Sequence, residues 1–482
     1  MGRYIPGCVF FITGFLLLFC LSSSFYCPAQ NSVPVRKQND SLKYVVINRI
    51  MTDGNHQTKF PIIQREMKIS QHDTIPLKEL SRLVKSSREN IFNLRLFNFV
   101  TIDTTHVDTN GTLIDVKVHV IERWYIWPWP YFEISDRNFN SWLETTDLSR
   151  LTYGINLTVM NVRGRNETLV IPLHFGFNEK YGLAYNIPSL NRTQTLGMAF
   201  GGDYERNHEV IISSRDNKPV YYKNPEEYPL QKLYSFIEFM VRPTIYSRHI
   251  AGLGFNDYLF SDTVLRAGFA VAPYNHLQYF TFYYFYRNDH RDFHFYPLKG
   301  EYFEIGLTDQ GILSKKVNAI YLDFSVRMYW QLFNRWYLAS GLFGKYSFTH
   351  DPPYFLQKGL GYGRYFVRGY EYYVVDCQHF FILKNNIKFA ILPRKIFKIN
   401  FLTSEKFNTL FYALYMNVFT DLGLAYNYDT RSAEVNNLEN SLLMGYGAGL
   451  DFTTYYDIVI RLEFALNGLG KPGIYLHFIA PI

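Results

Sequence analysis

Cysteine is nearly absent from this sequence once its N-terminus is set aside. Three of the four cysteines, Cys8, Cys20 and Cys27, precede Ala29, and only Cys377 follows it. If the N-terminal segment is removed on export, no two cysteines remain that could form a disulfide within the chain. A thiol pair for redox chemistry or for binding a metal is excluded for the same reason.

Catalytic motifs are also missing. The sequence holds no G-x-S-x-G elbow, no P-loop and no H-E-x-x-H motif, so an enzyme would have neither a nucleophile nor a metal site to start from. Residues 289–294 concentrate Asp and His, but they lack the spacing of metal ligands and precede Pro297 and Gly300. We interpret them as a polar turn at a membrane edge. We therefore expect no enzyme activity, no catalytic or metal-binding residue and no cofactor.

An excess of one charge is missing as well. Lys and Arg number 49 against 42 Asp and Glu, and the formal net charge is only +7 over 482 residues. The basic residues are scattered along the chain and form no run. Nucleic acid is therefore not an expected partner.

Long apolar runs are confined to the N-terminus. Arg3 precedes an apolar run at residues 9–21, and serines and small residues ending in Ala29 follow it. This order predicts a secretory signal peptide at residues 1–29. A retained anchor helix is the alternative, but it needs about 20 apolar residues. Residues 30–41 then form a polar linker.

Residues 42–124 alternate between strand and helix patterns. An apolar strand from Tyr44 ends in a Gly54-Asn55 turn, and leucines recur at helical spacing after Pro76. Two further strands are joined across residues 108–111, where Asn-Gly marks a hairpin. These patterns predict a small α+β domain, with a free strand edge at residues 45–50 or 99–104. Four residues of its last strand should face the core: Ile114, Val116, Val118 and Val120.

From residue 125 onward, strand follows strand with a period of two. In "DIVIRLEFAL", Leu462 and Phe464 alternate with Arg461 and Glu463, and other runs repeat the pattern. Phe, Trp and Tyr make up 18% of the chain, which is typical of the aromatic girdles of an outer-membrane barrel. Only a closed barrel satisfies every backbone group of such strands in lipid. Residues 125–482 are thus predicted to form a transmembrane β-barrel, and roughly sixteen or seventeen strand-like runs favour an even count of sixteen antiparallel strands.

Two segments are long enough to be the largest loops of this barrel. They are residues 203–232 and residues 346–376. The second contains "GLGYGRYFVRGYEYYVV", which places one arginine, Arg368, in a segment dense in aromatic residues. Because an arginine keeps its charge in proteins, Arg368 needs an anion or water beside it.

Several segments together resemble one known family. An N-terminal module with a "GN" turn and "RLFNFVTI", then a barrel with "VRGY", "FTDLG" and "GYGAGLDF", is similar to the BamA/TamA outer-membrane assembly-factor family, also called the bacterial surface antigen family. The resemblance implies one periplasmic polypeptide-transport-associated (POTRA) domain, a sixteen-stranded barrel and a loop six that folds back into the lumen. Four positions match the loop-six motif: Val367, Arg368, Gly369 and Tyr370.

The predicted partner of Arg368 is Asp421. In "TLFYALYMNVFTDLG", residues from Leu410 to Val418 alternate so that Phe419 and Asp421 point inward. The resemblance implies the same pairing, because Phe419, Asp421 and Gly423 match the family's F-x-D-x-G strand motif, which meets the loop arginine. The alternative is that Arg368 is a solvated loop charge.

The resemblance implies an assembly factor that works by strand addition. A nascent strand would pair with the open seam between the first and last barrel strands. The last strand, "GIYLHFIAPI", should turn Ile474, Leu476 and Phe478 toward lipid, and its Pro481 removes a pairing donor. Only one POTRA domain fits before the barrel, which favours an auxiliary or lineage-specific role. A polypeptide translocation pore of the two-partner-secretion type and a passive porin are the alternatives.

The expected partners follow from this interpretation. They are unfolded outer-membrane proteins or an exported polypeptide, periplasmic or outer-membrane assembly subunits, and membrane lipids. The expected location is the bacterial outer membrane, with the POTRA-like domain in the periplasm. A porin has no use for such a domain, which disfavours that alternative.

Overall fold

The computed structural model describes residues 44–108, 111–134, 150–270, 273–400, 402–428 and 436–478, together with Ala480 and Ile482. The predicted signal peptide at residues 1–29, the linker at residues 30–41 and Pro481 lie outside the described residues. Residues from Tyr44 to Ile482 form one compact unit.

The first six elements form the predicted small α+β layer. Strands pair in the order β2–β1–β4–β3, with β1 and β4 parallel and the other pairs antiparallel. The four predicted core residues of β4 are all buried, because alternate side chains of a strand face the helices. The bounds are β1 Tyr44–Asp53, α1 Phe60–Gln64, β2 Thr74–Pro76, α2 Leu77–Asn93, β3 Phe97–His106 and β4 Leu113–Glu122.

The sheet of this layer has two edge strands, β3 and the three-residue β2. The other predicted edge, residues 45–50, is covered only in part: β4 pairs along one side, whereas on the other side β2 pairs with Val45 and Val46 but with no later residue of β1 in the described part of the chain. β3 pairs with β4 only, so residues 99–104 lie at the edge of the sheet.

Sixteen further strands form a single antiparallel sheet, as predicted. Their spatial order follows the chain from β5 to β22, except that β9 pairs with β12 across a separate hairpin of β10 and β11. The bounds are β5 Ile126–Ile134, β6 Leu151–Val162, β7 Glu167–Gly176, β8 Asn178–Ile187, β9 Leu196–Asn207, β10 Glu209–Arg215, β11 Lys218–Lys223, β12 Leu230–Val241, β13 Ser247–Phe260, β14 His276–Asp289, β15 Gly300–Ile312, β16 Ala319–Phe333, β17 Trp336–Ser347, β18 His379–Lys398, β19 Thr409–Tyr426, β20 Leu442–Thr454, β21 Ile458–Asn467 and β22 Pro472–His477.

The two faces of the sheet are as different as the alternation predicts. On β21, Leu462 is 49% exposed and Phe464 is 48% exposed, whereas Arg461 is 1% exposed and Glu463 is fully buried. The apolar face is therefore the outer, lipid-facing one, and the charged face lines the lumen.

Of the two predicted long loops, the first is shorter than expected, and the second has the predicted length but lies two residues further along the chain. Residues 203–207 belong to β9 and residues 230–232 to β12, and the loop between them carries the β10–β11 hairpin. The second long connection runs over residues 348–378, between β17 and β18, and is called loop six below. Leu360 and Val375 close it on itself through paired backbone hydrogen bonds of 3.0 and 2.9 Å.

Helices play a small part beyond the α+β layer. Two short ones follow it, α3 Asp262–Arg266 and α4 Glu405–Asn408. Across the described ranges, we find no helix with the length and apolar character that membrane crossing requires.

The α+β domain is held against turns at one end of the barrel. Asn161, near the β6–β7 turn, donates from Nδ2 to Oγ1 of Thr58 at 2.8 Å. Further round the barrel, Arg242 forms an ion pair with Glu66 at 2.6 Å. These contacts join the domain to turns that are far apart in the sequence.

A third attachment point is Asp457, in the turn between β20 and β21. Arg123 and Arg95 of the domain each reach Oδ2 of Asp457 at 2.8 Å. Burial on its own would raise the pKa of Asp457, but the two arginines outweigh it and the pKa is lowered. The contact therefore joins charged groups at neutral pH.

Candidate functional site

The "VRGY" segment of loop six lies inside the barrel rather than in solvent. Val367, Arg368 and Tyr370 are 1%, 0% and 4% exposed. A solvated loop charge, the alternative interpretation of Arg368, does not fit a side chain that is fully buried. The loop has therefore folded back onto the inner face of the wall.

Arg368 and Asp421 meet as predicted. Nε of Arg368 donates to Oδ2 of Asp421 at 2.8 Å, and Nη2 donates to Oδ1 at 2.5 Å. The backbone N–H of Arg368 adds a third hydrogen bond to Oδ2 at 3.1 Å. This is the bidentate geometry that makes arginine the preferred partner of a buried carboxylate.

Two more residues complete this contact, and together the four are called the arginine clamp: Arg368, Asp421, Glu463 and Phe419. Nη1 of Arg368 donates to Oε1 of Glu463 at 3.2 Å. Cζ of Arg368 lies 3.8 Å from the ring centre of Phe419, within cation–π distance. The guanidinium is thus held at its edge by two carboxylates and on one face by a ring.

Sequence reasoning missed Glu463. It placed this residue correctly on the inner face of β21, but many polar residues share inner faces. Pairing places Glu463 of β21 level with Asn417 of β19 through Gly449 of β20, whereas Asp421 is level with Gly445, so Arg368 spans the offset between the two carboxylates. Strand pairing of this kind is not readable from alternation alone.

Glycines let loop six approach the wall closely. A Cβ on Gly445 of β20 would lie 1.8 Å from the carbonyl oxygen of Arg368, and one on Gly423 of β19 would lie 2.4 Å from Cγ2 of Val367. Only glycine fits at such positions. Gly423 was predicted as part of the site, whereas Gly445 was not.

The rest of the motif reaches the last two strands. Nδ2 of Asn467 donates to the carbonyl oxygen of Gly369 at 2.8 Å, and the backbone N–H of Gly468 donates to the hydroxyl of Tyr370 at 3.0 Å. Tyr475 of β22 also donates its hydroxyl to the Gly369 carbonyl, at 3.4 Å. Gly369 turns the chain here with φ +92°. Loop six therefore contacts β22 as well as β19, β20 and β21.

The clamp belongs to a wider group of charges. Lys384 of β18 lies 3.7 Å from Oδ2 of Asp421, and Arg461 of β21 lies 3.1 Å from Oε2 of Glu463. Three cationic side chains therefore share two carboxylates. Each carboxylate keeps a second basic neighbour if Arg368 is removed.

The seam lies between β5 and β22. Within the described residues, no ladder joins these two strands, and β22 covers only residues 461–466 of β21. β22 has six residues, whereas a membrane-spanning strand needs about 9–11. Ile474 and Leu476 of β22 and the adjacent Phe478 are 70%, 57% and 65% exposed, so all three predicted seam residues face outward. The predicted last strand was too long, since β22 ends at His477 and Ile482 is buried in one cluster with Ala339 and Phe343 of β17.

One end of the seam is bridged by aromatic side chains. The ring of Trp127, at the start of β5, lies 4.6 Å from the ring of Tyr456 in the β20–β21 turn. The hydroxyl of the same tyrosine accepts a hydrogen bond of 3.1 Å from the backbone N–H of Trp124. This is the end at which the α+β domain sits.

Within residues 289–294, Asp289 forms an ion pair with the nearby Arg291. Asp289 accepts hydrogen bonds of 2.8 and 2.7 Å from Nε and Nη2 of Arg291. Burial lowers the pKa of His294 to about 4, so this side chain is neutral at physiological pH. Among the described residues, no group of three or more acidic, histidine or cysteine side chains could hold a metal ion.

Comparison with known proteins gives structural matches only. No family model and no curated protein matches the sequence. The fold is similar to BamA from Haemophilus ducreyi, in a crystal structure lacking POTRA domains 1–3, with a TM-score of 0.50 and 14% identity over 90% of this chain and 83% of that chain. It is also similar to CdiB from Escherichia coli, with a TM-score of 0.52 and 10% identity over 90% of this chain and 75% of that chain.

A third match has less weight. CdiB from Acinetobacter baumannii gives a TM-score of 0.46 and 12% identity over 90% of this chain and 74% of that chain. Identities this low show a shared fold and nothing more. At that level, the predicted resemblance to a BamA-type barrel is confirmed.

Proposed function

We propose that this chain, which has the fold of BamA, is an outer-membrane protein that assists other polypeptides into that membrane by strand addition at its seam. The observation that carries the proposal is the seam itself: β5 and β22 each pair on one edge only within the described residues. Strand addition to such an edge supplies backbone hydrogen bonds to the incoming chain.

The shortness of β22 makes the seam a favourable entry point. Residues 458–460 of β21 have no β22 partner, because β22 pairs only with residues 461–466. An unsatisfied backbone group in lipid costs several kcal/mol. An incoming strand that pairs there lowers this cost for the barrel and for itself.

The arginine clamp supports the proposal by fixing the wall beside the seam. Loop six is bonded to β19 and β21, it packs closely against Gly445 of β20, and its Gly369 carbonyl also accepts from Tyr475 of β22. A rigid wall next to a poorly paired strand confines movement to that strand. The clamp thus has a structural role in strand exchange, and the proposal requires no chemical catalysis, cofactor or metal.

The α+β domain is proposed to act as a POTRA-like docking module in the periplasm. Its edge strand β3 borders a groove of about 640 Å³, lined on one side by Leu80 and Val84 of α2 and on the other by Ile102. An extended client segment or an assembly partner can add to β3 while its apolar side chains enter this groove. One such domain fits an auxiliary or lineage-specific role.

Two alternatives require larger changes in the barrel. A translocation pore, which the fold similarity to Escherichia coli CdiB keeps open, requires loop six to leave the lumen, where Arg368 is fully buried. A passive porin requires loop six to be outside the lumen even in the resting state. Strand addition at the seam leaves the clamp in place.

A crosslinking experiment tests the seam directly. A photo-crosslinking amino acid at Ile474 of β22 should capture a nascent barrel protein in living cells. The matched control is Leu253, which is also exposed on the outer face but lies on β13, a strand paired on both edges. Capture at both positions, or at neither, would contradict entry at the seam.

Depletion of the protein separates assembly from translocation. Loss of many barrel proteins from the outer membrane supports the assembly role. Loss of a single exported polypeptide, with the barrels unchanged, supports the translocation pore. Proteomics of isolated outer membranes gives this measurement.

A further inference from the structure

A chamber lined with arginine lies where the α+β domain, the barrel and loop six come together. Its volume is about 330 Å³. Asn90 and Asn93 of α2 form one side, and Arg364 of loop six reaches it from another. Six arginines line it: Arg242, Arg248, Arg287, Arg291, Arg327 and Arg364.

Half of these arginines are neutralised by carboxylates. Arg242 is paired with Glu66 through hydrogen bonds of 2.6 and 2.7 Å. Nε of Arg287 donates to Glu304 at 2.7 Å, and Arg291 is held by Asp289 as described above. Each of these carboxylates is thus already engaged by one guanidinium.

The other three arginines have no carboxylate within 4 Å in the part of the chain that the structure describes. Nε of Arg327 donates to the hydroxyl of Ser325 at 3.0 Å, and Nη2 of Arg364 donates to the hydroxyl of Tyr365 at 2.7 Å. Both partners are neutral. The side chain of Arg248 makes neither a hydrogen bond nor an ion pair with any described residue. Three of the six arginines around this chamber therefore have no carboxylate as a direct partner.

We propose that this chamber binds a compact anion that carries a phosphate group. Guanidinium groups match phosphate oxygens in geometry and charge, and arginine is enriched wherever such groups are recognised. The two asparagines of α2 donate to the backbone carbonyls of Glu66, Arg291 and Asp292, so the recognition of the anion is assigned to the arginines. The volume lies at the small end of the range for ligand pockets, which fits a small phosphate compound better than a chain segment.

The position of the chamber gives the bound anion a structural consequence. Arg248 projects from β13, Arg327 from β16 and Arg364 from loop six, while the asparagines belong to the α+β domain. A single anion would therefore connect the barrel wall and the loop beside the domain. Arg327 shares the inner face of β16 with the buried Ser325 and Tyr329, so the chamber opens to the lumen rather than to lipid.

The binding test uses the full chain, folded in detergent, with inorganic pyrophosphate as the probe. Isothermal titration at constant ionic strength, with chloride as the reference anion, removes the general effect of salt. The double variant Arg248→Gln, Arg327→Gln should weaken pyrophosphate binding about tenfold or more, since each lost contact is a charge-assisted hydrogen bond. The matched control Arg192→Gln removes an exposed arginine outside the chamber and should bind like the wild type.

The outcomes separate the proposal from simple charge attraction and from misfolding. Cold-gel migration checks that each variant is folded, and Arg364→Gln, which alters only the loop, replaces the double variant if that one does not fold. Equal weakening by Arg192→Gln, or no pyrophosphate binding by the wild type, would overturn the proposal. Repeating the titration in nanodiscs with or without phosphatidic acid identifies the source: loss of pyrophosphate binding with this lipid indicates a headgroup ligand, and unchanged binding indicates a soluble one. The assay contains no client polypeptide, so its result is independent of the proposed assembly function.

Discussion

For the arginine clamp, we predict that the loss in free energy of unfolding depends on which partner is removed. Arg368→Ala and Asp421→Ala both break the same pair, in which the two side chains are fully buried. Removing one partner of a buried ion pair costs about 3–5 kcal/mol, because the survivor keeps its charge without compensation. The neighbouring charges reduce that cost for one of the two variants and leave it in full for the other.

The difference follows from counting charges around the clamp. After Arg368→Ala, Asp421 keeps Lys384 at 3.7 Å and Glu463 keeps Arg461 at 3.1 Å, so two cations balance two anions. After Asp421→Ala, three cations share Glu463 alone. We therefore expect Arg368→Ala to cost about 2–3 kcal/mol and Asp421→Ala about 3–5 kcal/mol in free energy of unfolding. The double variant restores the original charge difference and should cost clearly less than the two single costs added together.

Two measurements check this expectation. Urea titration followed by cold-gel migration gives the free energy of unfolding, and limited proteolysis of residues 359–373 reports release of loop six. Both single variants should expose the loop to protease, with Asp421→Ala the more sensitive. Additive costs in the double variant, or a larger cost for Arg368→Ala than for Asp421→Ala, would refute the pairing.

Four further predictions concern other parts of the molecule. Gly445→Ala should release loop six, because its Cβ would lie 1.8 Å from a loop carbonyl oxygen, whereas Gly363→Ala meets no atom within 4 Å; protease access to the loop compares them. Leu462→Lys on the lipid face should destabilise the barrel by about 2–4 kcal/mol in the same urea titration, and unchanged cold-gel migration would mean that the faces are assigned wrongly. Photo-crosslinkers along β3 should capture clients or partners, whereas those along β4 should not, because β4 is paired with β1 on one edge and with β3 on the other. Because the pKa of Asp457 is lowered on folding, its attachment of the α+β domain should be complete above about pH 4 and be lost as the pH falls through the folded pKa; proteolysis across an acid series measures this.

The sequence predicted the fold well because each strand carries its own local signal. Alternation with a period of two assigned Leu462 outward and Glu463 inward, and both assignments hold. The β10–β11 hairpin was missed because it stands apart from the barrel sheet and lacks an apolar face for lipid. The partial covering of residues 45–50 was not predicted for a different reason: β2 has only three residues, and strand order depends on a parallel pairing between β1 and β4, which are far apart in the sequence.

The clamp shows where sequence reasoning reaches its limit. The pairing of Arg368 with Asp421 was predicted because alternation made Asp421 point inward and the resemblance supplied the loop. Glu463 and Gly445 needed knowledge of which inward residues stand side by side across three strands. The arginine chamber is harder still, because its side chains come from the α+β domain, the β12–β13 turn, four barrel strands, the β14–β15 turn and loop six.

The aromatic bridge at the domain end of the seam limits how the barrel can widen. Trp127 of β5 is in contact with Tyr456, and the neighbouring Asp457 is tied to Arg123 just before β5 begins. Parting the two sides of the seam at this end breaks an ion pair and a ring contact together. If the seam opens while the ring contact and the ion pair stay intact, β5 and β22 must rotate about this end. The gap between the two strands then widens toward the opposite end of the barrel. A client strand would then enter a wedge-shaped gap between β5 and β22 that is narrowest at the aromatic bridge.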